Sequence, residues 1–408
     1  MIAIYSLVVV CLIFYFTGNR QAVGFILVAL TTNFFGLTSS APELFDFVVL
    51  TNVAGATSIL LFFSIVVLRP HLLSLHGIPW VIVFVILLKF CWAIIDSGSL
   101  HFDLLMRFVS YGSAFFLLLG HERFTSVNLW RLIIYVVAAQ SVLLVVANVF
   151  EQALLFHPST YVNSVGVVAD RFGSVSRAAP LVIFILLRYG HRLNFSLPVV
   201  IVIVLLVFAG AVATKGRTSL ILLVLTLILS VPIKRLLLYG AALLALAAVT
   251  VTEDTFVRFA DVGATMSNIT AAHSGSKGEN SIYRIAQFAE RAEYLNESKQ
   301  LMTGIPFGTT NREFDGQFIY VPASGNQLES ADNSFTGLLL WFGIPGLVMV
   351  IITVVHLIRR YHVTRSLPLS LFICAYVIIL ASVSGMFSQF SFVILLGSFL
   401  PLIERFEE

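Results

Sequence analysis

Apolar runs, one after another and each about the length a helix needs to cross a bilayer, decide what this chain can fold into. They fall at 2–16, 22–37, 47–68, 78–95, 104–119, 129–150, 175–187, 197–213, 219–233, 236–251, 335–358, 367–383 and 387–402. Only the stretch 252–331 is long and polar. It takes 80 of the 408 residues, and the remainder, at roughly 25 residues per span and turn, makes about 13 spans. A chain that is 59% hydrophobic and 11% charged, with mean hydropathy +0.98, stands far from soluble domains, where about 25% of residues are charged. The predicted fold is all-α: a polytopic membrane helix bundle of about 12–13 transmembrane helices with one large extracytoplasmic loop.

The organisation that follows is a single integral membrane domain: N-terminal transmembrane helices at 1–251, the loop at 252–331, and C-terminal transmembrane helices at 332–408. The first apolar run has no basic flank and no small-residue cleavage site, so it reads as a retained span and not as a signal peptide. Cys11, Cys91 and Cys374 sit inside apolar runs without paired or metal-ligand spacing, which offers no disulfide framework and no cysteine metal site. A net charge of +3 gives no reason to expect a nucleic-acid partner.

Short cytoplasmic connections collect Lys and Arg. Arg20, Arg69, Arg123, Arg131, Arg188, Arg192, Lys234, Arg235, Arg359, Arg360, Arg365 and Arg405 fall in alternate connections, and that side is predicted to be the cytoplasm. Glu43, Asp46, Asp96, Asp103, Glu151 and Asp170 fall in the others, which puts the long loop and the N-terminus outside and the C-terminus inside.

The cations that break this rule carry the chemistry. Lys89 and Arg107 lie within apolar runs, where a charge costs a few kcal/mol and needs a partner or a function; pairing of Lys89 with Asp96 and of Arg107 with Asp103 is the plain alternative. Outside, Arg171 and Arg177 flank Gly173 ahead of a short span opened by Pro180. Two guanidinium groups so placed can grip a phosphate. Lys215-Gly216-Arg217-Thr218 makes a tight outward turn whose following helix points its amides outward, an anion site in outline or a plain hairpin with snorkelling cations.

Within the loop, Ile282, Ile285, Phe288 or Ala289, Ala292 and Leu295 recur at helical spacing over 281–302, with Asn280 as cap. This amphipathic helix carries Arg284 and Arg291 on one face, either as anion ligands or as a solvated charged face. Glu290, Glu293 and Glu297 stand where they can pair with Arg291 and other cations. The run Gly304-Ile305-Pro306-Phe307-Gly308 ends it. Where the chain re-enters the membrane, Asp332-Asn333 precedes Gly343-Ile344-Pro345-Gly346; Asp332 is a helix N-cap or a general base. No Ser-His-Asp order, HExxH or Cys-His spacing occurs, so metal and nucleophilic catalysis have no support.

Taken in order, these segments resemble the bacterial O-antigen polymerase and O-antigen ligase superfamily, between Arg171 and Gly346. Arg171, Gly173 and Arg177 ahead of Pro180 resemble its arginine motif, and Lys215-Gly216-Arg217-Thr218 its short basic turn. Arg284 followed by Gly304 and Gly308 resembles the arginine helix and glycine turn of its periplasmic loop. Asp332-Asn333 before Gly343 and Gly346 resembles its post-loop motif, where the ligases have His; Asp in that place favours a Wzy-like polysaccharide polymerase. The resemblance implies a GT-C-like glycosyltransferase of the bacterial inner membrane that works without cofactor, metal or nucleotide sugar. Its substrate would be an undecaprenyl-diphosphate-linked oligosaccharide, and a chain-length regulator and a flippase would be its partners. It also implies that Arg171, Arg177, Lys215, Arg217, Arg284 and Arg291 bind diphosphate and glycan, and that Asp332 is catalytic. A ligase differs only in acceptor; a lipid-linked oligosaccharide flippase is the rival from another class.

Overall fold

The computed structural model describes residues 2–32, 47–68, 78–98, 100, 102–112, 125–150, 156, 158–162, 168–214, 217–231, 281–321, 327–328, 333–362, 367–383 and 390–407. Among them are fourteen α-helices: α1 Ile2–Phe16, α2 Arg20–Thr32, α3 Phe47–Leu68, α4 Ile78–Ser97, α5 Phe102–Tyr111, α6 Val127–Phe150, α7 Gly173–Tyr189, α8 Leu197–Ala213, α9 Arg217–Ser230, α10 Ser281–Glu297, α11 Ser334–Phe342, α12 Ile344–His362, α13 Leu367–Val383 and α14 Phe390–Glu407. The all-α expectation holds among the described residues, with one addition, an antiparallel hairpin of β1 Ser159–Val162 and β2 Val168–Arg171 that pairs Ser159 with Arg171. The run expected at 236–251 lies outside the described residues.

Residues 80–97 and 127–150 form helices long and apolar enough to cross a membrane. Shorter apolar helices pack beside them, and their outer faces leave Phe84, Leu88, Tyr135, Val202, Ile221 and Ile351 exposed. Water is a poor solvent for such a perimeter and hydrocarbon a good one.

Side-chain pairs fix the directions of the central helices. Phe184 of α7 stacks on Phe372 of α13 with centroids 4.3 Å apart, and the Tyr376 hydroxyl donates to the Arg177 carbonyl at 2.8 Å, so α7 and α13 run antiparallel. Phe184 also meets Phe399, and Tyr189 meets Phe406, so α14 runs parallel to α7. At the foot of α7, Arg188 pairs with Glu407 at 3.9 Å and Arg131 donates to the Leu193 carbonyl at 2.9 Å. Arg131, Arg188, Arg192 and Arg405 thus share the end of the bundle opposite the start of α7. Pro180 stands inside α7 and does not open it; the helix begins seven residues earlier, which places Arg177 in its second turn.

The run 335–358 is not one helix. Gly343, at φ 65° and ψ −152°, breaks it into α11 and α12, because only glycine adopts that backbone region without strain. The break receives the loop: Ile344 N–H donates to the Leu301 carbonyl and Ile305 N–H to the Leu340 carbonyl, each at 2.9 Å. A Cβ on Gly304, itself at φ 66°, would sit 2.5 Å from the Trp341 carbonyl carbon, and one on Gly343 would sit 2.8 Å from that of Met302. Gly304→Ala or Gly343→Ala is expected to lower stability by about 1–3 kcal/mol. Gly308→Ala, whose Cβ meets only Ser97 Cβ at 3.7 Å, is expected to leave the thermal midpoint in detergent unchanged. Equal midpoints for all three would separate the glycines from the docking.

Candidate functional site

From Lys299 to Thr310 the loop forms a strap that dips between the helices. Its Phe307 is fully buried, stacked near Tyr111 of α5 and edge-on to Phe342 of α11. Two cations from apolar helices seize its carbonyls. The Lys89 ammonium donates to the Thr303 carbonyl at 2.6 Å and lies 4.4 Å from the Trp92 ring. The Arg107 guanidinium donates to the Thr309 carbonyl at 2.9 Å and lies 4.0 Å from the Trp341 ring. The direct partner of Lys89 is therefore a loop carbonyl, with Asp96 acting on it only through its charge, because the strap reaches further into the bundle than its polarity suggests.

The helix of the loop forms as expected, but its face is turned. It ends at Glu297, with Lys299 at φ 58° and Gln300 N–H donating to the Leu295 carbonyl at 2.8 Å, before the glycine run and not because of it. Leu295, Gln287 and Arg291 are buried while Ile285 is 69% exposed. Arg291, 1% exposed, is not part of a solvated face. It pairs with Glu290 at 2.5 Å, donates at 3.1 Å to the carbonyls of Tyr320 and Gln327, and lies 3.5 Å from the Phe318 ring. Glu290 in turn accepts from Ile319 N–H at 2.6 Å and Tyr320 N–H at 3.2 Å. Burial pulls the Arg291 guanidinium down to about 10 and Glu290 opposes this, so it stays charged at neutral pH. Those donors hold the loop to itself. Arg284 stands half-buried in the first turn of α10.

Two of the other predicted site residues, Arg171 and Arg177, lie at the start of α7. Arg171 ends β2, two residues before α7, and Arg177 lies in that helix's second turn. Arg217 opens α9, which packs against α7 and α13; since α8 connects the two through short turns, α7 and α9 begin at the same end. Lys215 and Asp332 lie outside the described residues. At the α11 start the cap is Asn333, whose carbonyl oxygen accepts from Phe335 N–H at 2.9 Å and Thr336 N–H at 3.4 Å. The cap reading of Asp332 is corrected by one residue: a neighbour fills that role. α11 packs against α10, α12 and α13, so the elements bearing all four motifs form one connected group. Helix starts concentrate positive potential, and the starts of α7 and α9 at one end suit an anion. Among the described residues no three His, Cys, Asp or Glu side chains gather as metal ligands.

No family model, curated protein or solved structure matches this chain. Glu290 pairs with Arg291 as the sequence suggests, whereas nothing in the sequence marks Gln287 or Gln327 for the loop, and Lys89 and Arg107 stand out only as oddities. Their misplaced charge was the one signal, and their partners lie 214 and 202 residues away.

Proposed function

We propose that this chain is a repeat-unit polymerase for O-antigen or a related capsular or exopolysaccharide. It transfers the growing glycan from undecaprenyl diphosphate to the non-reducing sugar of a new lipid-linked unit, on the outer face of the bacterial inner membrane. The observation that carries this reading is the packing of α7, α9 and α11 on α13, with α10 on α11, which joins into one group the helices that carry or adjoin the four resembling motifs. The glycosidic bond to the diphosphate breaks as the acceptor hydroxyl attacks, and the leaving diphosphate gains charge. Arg171, Arg177, Lys215, Arg217 and Arg284 stabilise that charge, while Arg291 shapes the loop that presents Arg284. Asp332 takes the proton of the attacking hydroxyl. The bundle spans the membrane about 12–13 times in a GT-C-like arrangement, with the loop periplasmic and the C-terminus cytoplasmic.

A glycan profile of a strain lacking the gene tests the reaction. Loss of long chains with one attached repeat retained is the expected result; bare core lipid indicates a ligase, and intermediates trapped inside indicate a flippase. The membrane orientation has its own test, motivated by the alternation of basic connections. Ser276→Cys is expected to react with an impermeant thiol reagent in cells with a permeabilised outer membrane, and Thr364→Cys is not; the opposite pattern inverts the topology.

A further inference from the structure

We propose that Lys89 and Arg107 are positioning residues, which hold the strap 299–310, and through it the start of α11, in place for the transfer reaction; this rests on the polymerase reading above. The bonds form a continuous path. Lys89 on α4 and Arg107 on α5 are tied side by side, since Phe90 stacks on Phe108 with centroids 4.3 Å apart. Their two bonds, to the Thr303 and Thr309 carbonyls, bracket the strap. Between them Ile305 binds the Leu340 carbonyl, and just ahead of them Leu301 binds Ile344. Helix α11 has nine residues and is capped by Asn333, so Leu340 is linked through one short helix to its start.

Anchoring alone does not call for cations. Phe307 and Ile305 are already buried, and a charge within an apolar helix costs a few kcal/mol. Lys89 is only 6% exposed. What a charged donor adds to apolar packing is direction, because a bond to one carbonyl fixes the strap along its own length. A displacement of about 1 Å at a reacting group costs on the order of 10²-fold in rate, which gives that direction its use.

The test separates position from folding and from the function itself. Lys89→Met is expected to lower kcat about 10- to 100-fold, with KM for the lipid-linked repeat nearly unchanged, and Lys89→Arg to recover part of it. The Ser97→Cys, Gly308→Cys pair supplies a substitute anchor: the Cβ positions lie 3.7 Å apart, within the range of about 3.5–4.5 Å that a disulfide takes. Oxidation is expected to restore chain growth to Lys89→Met, and reduction to abolish it again. A formed crosslink without rescue, or parent-like kinetics in Lys89→Met, overturns the proposal. Should Lys89→Met fail to accumulate, Arg107→Gln carries the same comparison. Ile305→Cys, buried in the parent, reports the strap without reference to chemistry: its thiol labelling is expected to quicken at least tenfold with Lys89→Met, and equal rates overturn the proposal whatever the reaction is. Faster labelling in a protein whose parent polymerises nothing keeps the anchorage and removes the polymerase.

Discussion

Asp332→Asn is expected to leave the protein at normal levels in the membrane and to collapse its product to single repeat units. The two readings of this residue differ in what they ask of its side chain. A cap needs an oxygen that accepts amide hydrogen bonds, and Asn supplies one as well as Asp does. A base needs a carboxylate that takes a proton, and Asn offers none at neutral pH; removing a general base typically costs about 10²–10⁴-fold. The structure sharpens the comparison, because Asn333 already caps α11 through the amides of Phe335 and Thr336. Asn333→Ala is accordingly the stability control, expected to cost about 1 kcal/mol and to lower protein levels more than Asp332→Asn does. Retained long chains in Asp332→Asn, with expression matched, would sink the assignment and move the search to Glu329 or His273.

What could be read ahead of the structure follows from how local each cause is. Apolar length is local, so α3, α4, α6, α8 and α13 fall on their expected runs to within a few residues. The strands of the 159–171 hairpin have four residues each, too few to show an alternation above the surrounding polarity. The break at Gly343 hides inside an apolar run and is dictated by the loop backbone that must approach there. Arg291 misled because helical spacing says which residues share a face and not which face is buried. Its partners are main-chain carbonyls 29 and 36 residues on, which no composition signals. The cap was missed by one position because Asp332 and Asn333 are adjacent and cap equally well.

That concealed role of Arg291 sets the largest expected loss of stability. In Arg291→Ala the Gln327 carbonyl loses the Arg291 donor, the Tyr320 carbonyl keeps only the Gln287 amide at 3.3 Å, and Glu290 loses its counter-charge. Removing one partner of a buried ion pair costs about 3–5 kcal/mol. Glu290 retains two backbone donors and a side chain 19% exposed, which places the cost near the lower bound, about 3 kcal/mol. The damage should stay local, since this clasp ties α10 to 318–320 and Gln327 and the apolar helices below do not share it. Protease is thus expected to nick Arg291→Ala within 311–328 while the helix bundle survives, and thermal unfolding should show an early loop transition. Arg291→Lys keeps the charge but loses the planar fork that reaches two carbonyls and a carboxylate together, so its loop is expected to be nicked at an intermediate rate. Exposed Arg312, on the same loop, serves as control: Arg312→Ala should resist nicking as the parent does. Parent-like protection in Arg291→Ala would mean that the loop holds without its buried arginine, and would return that residue to the substrate side of the site.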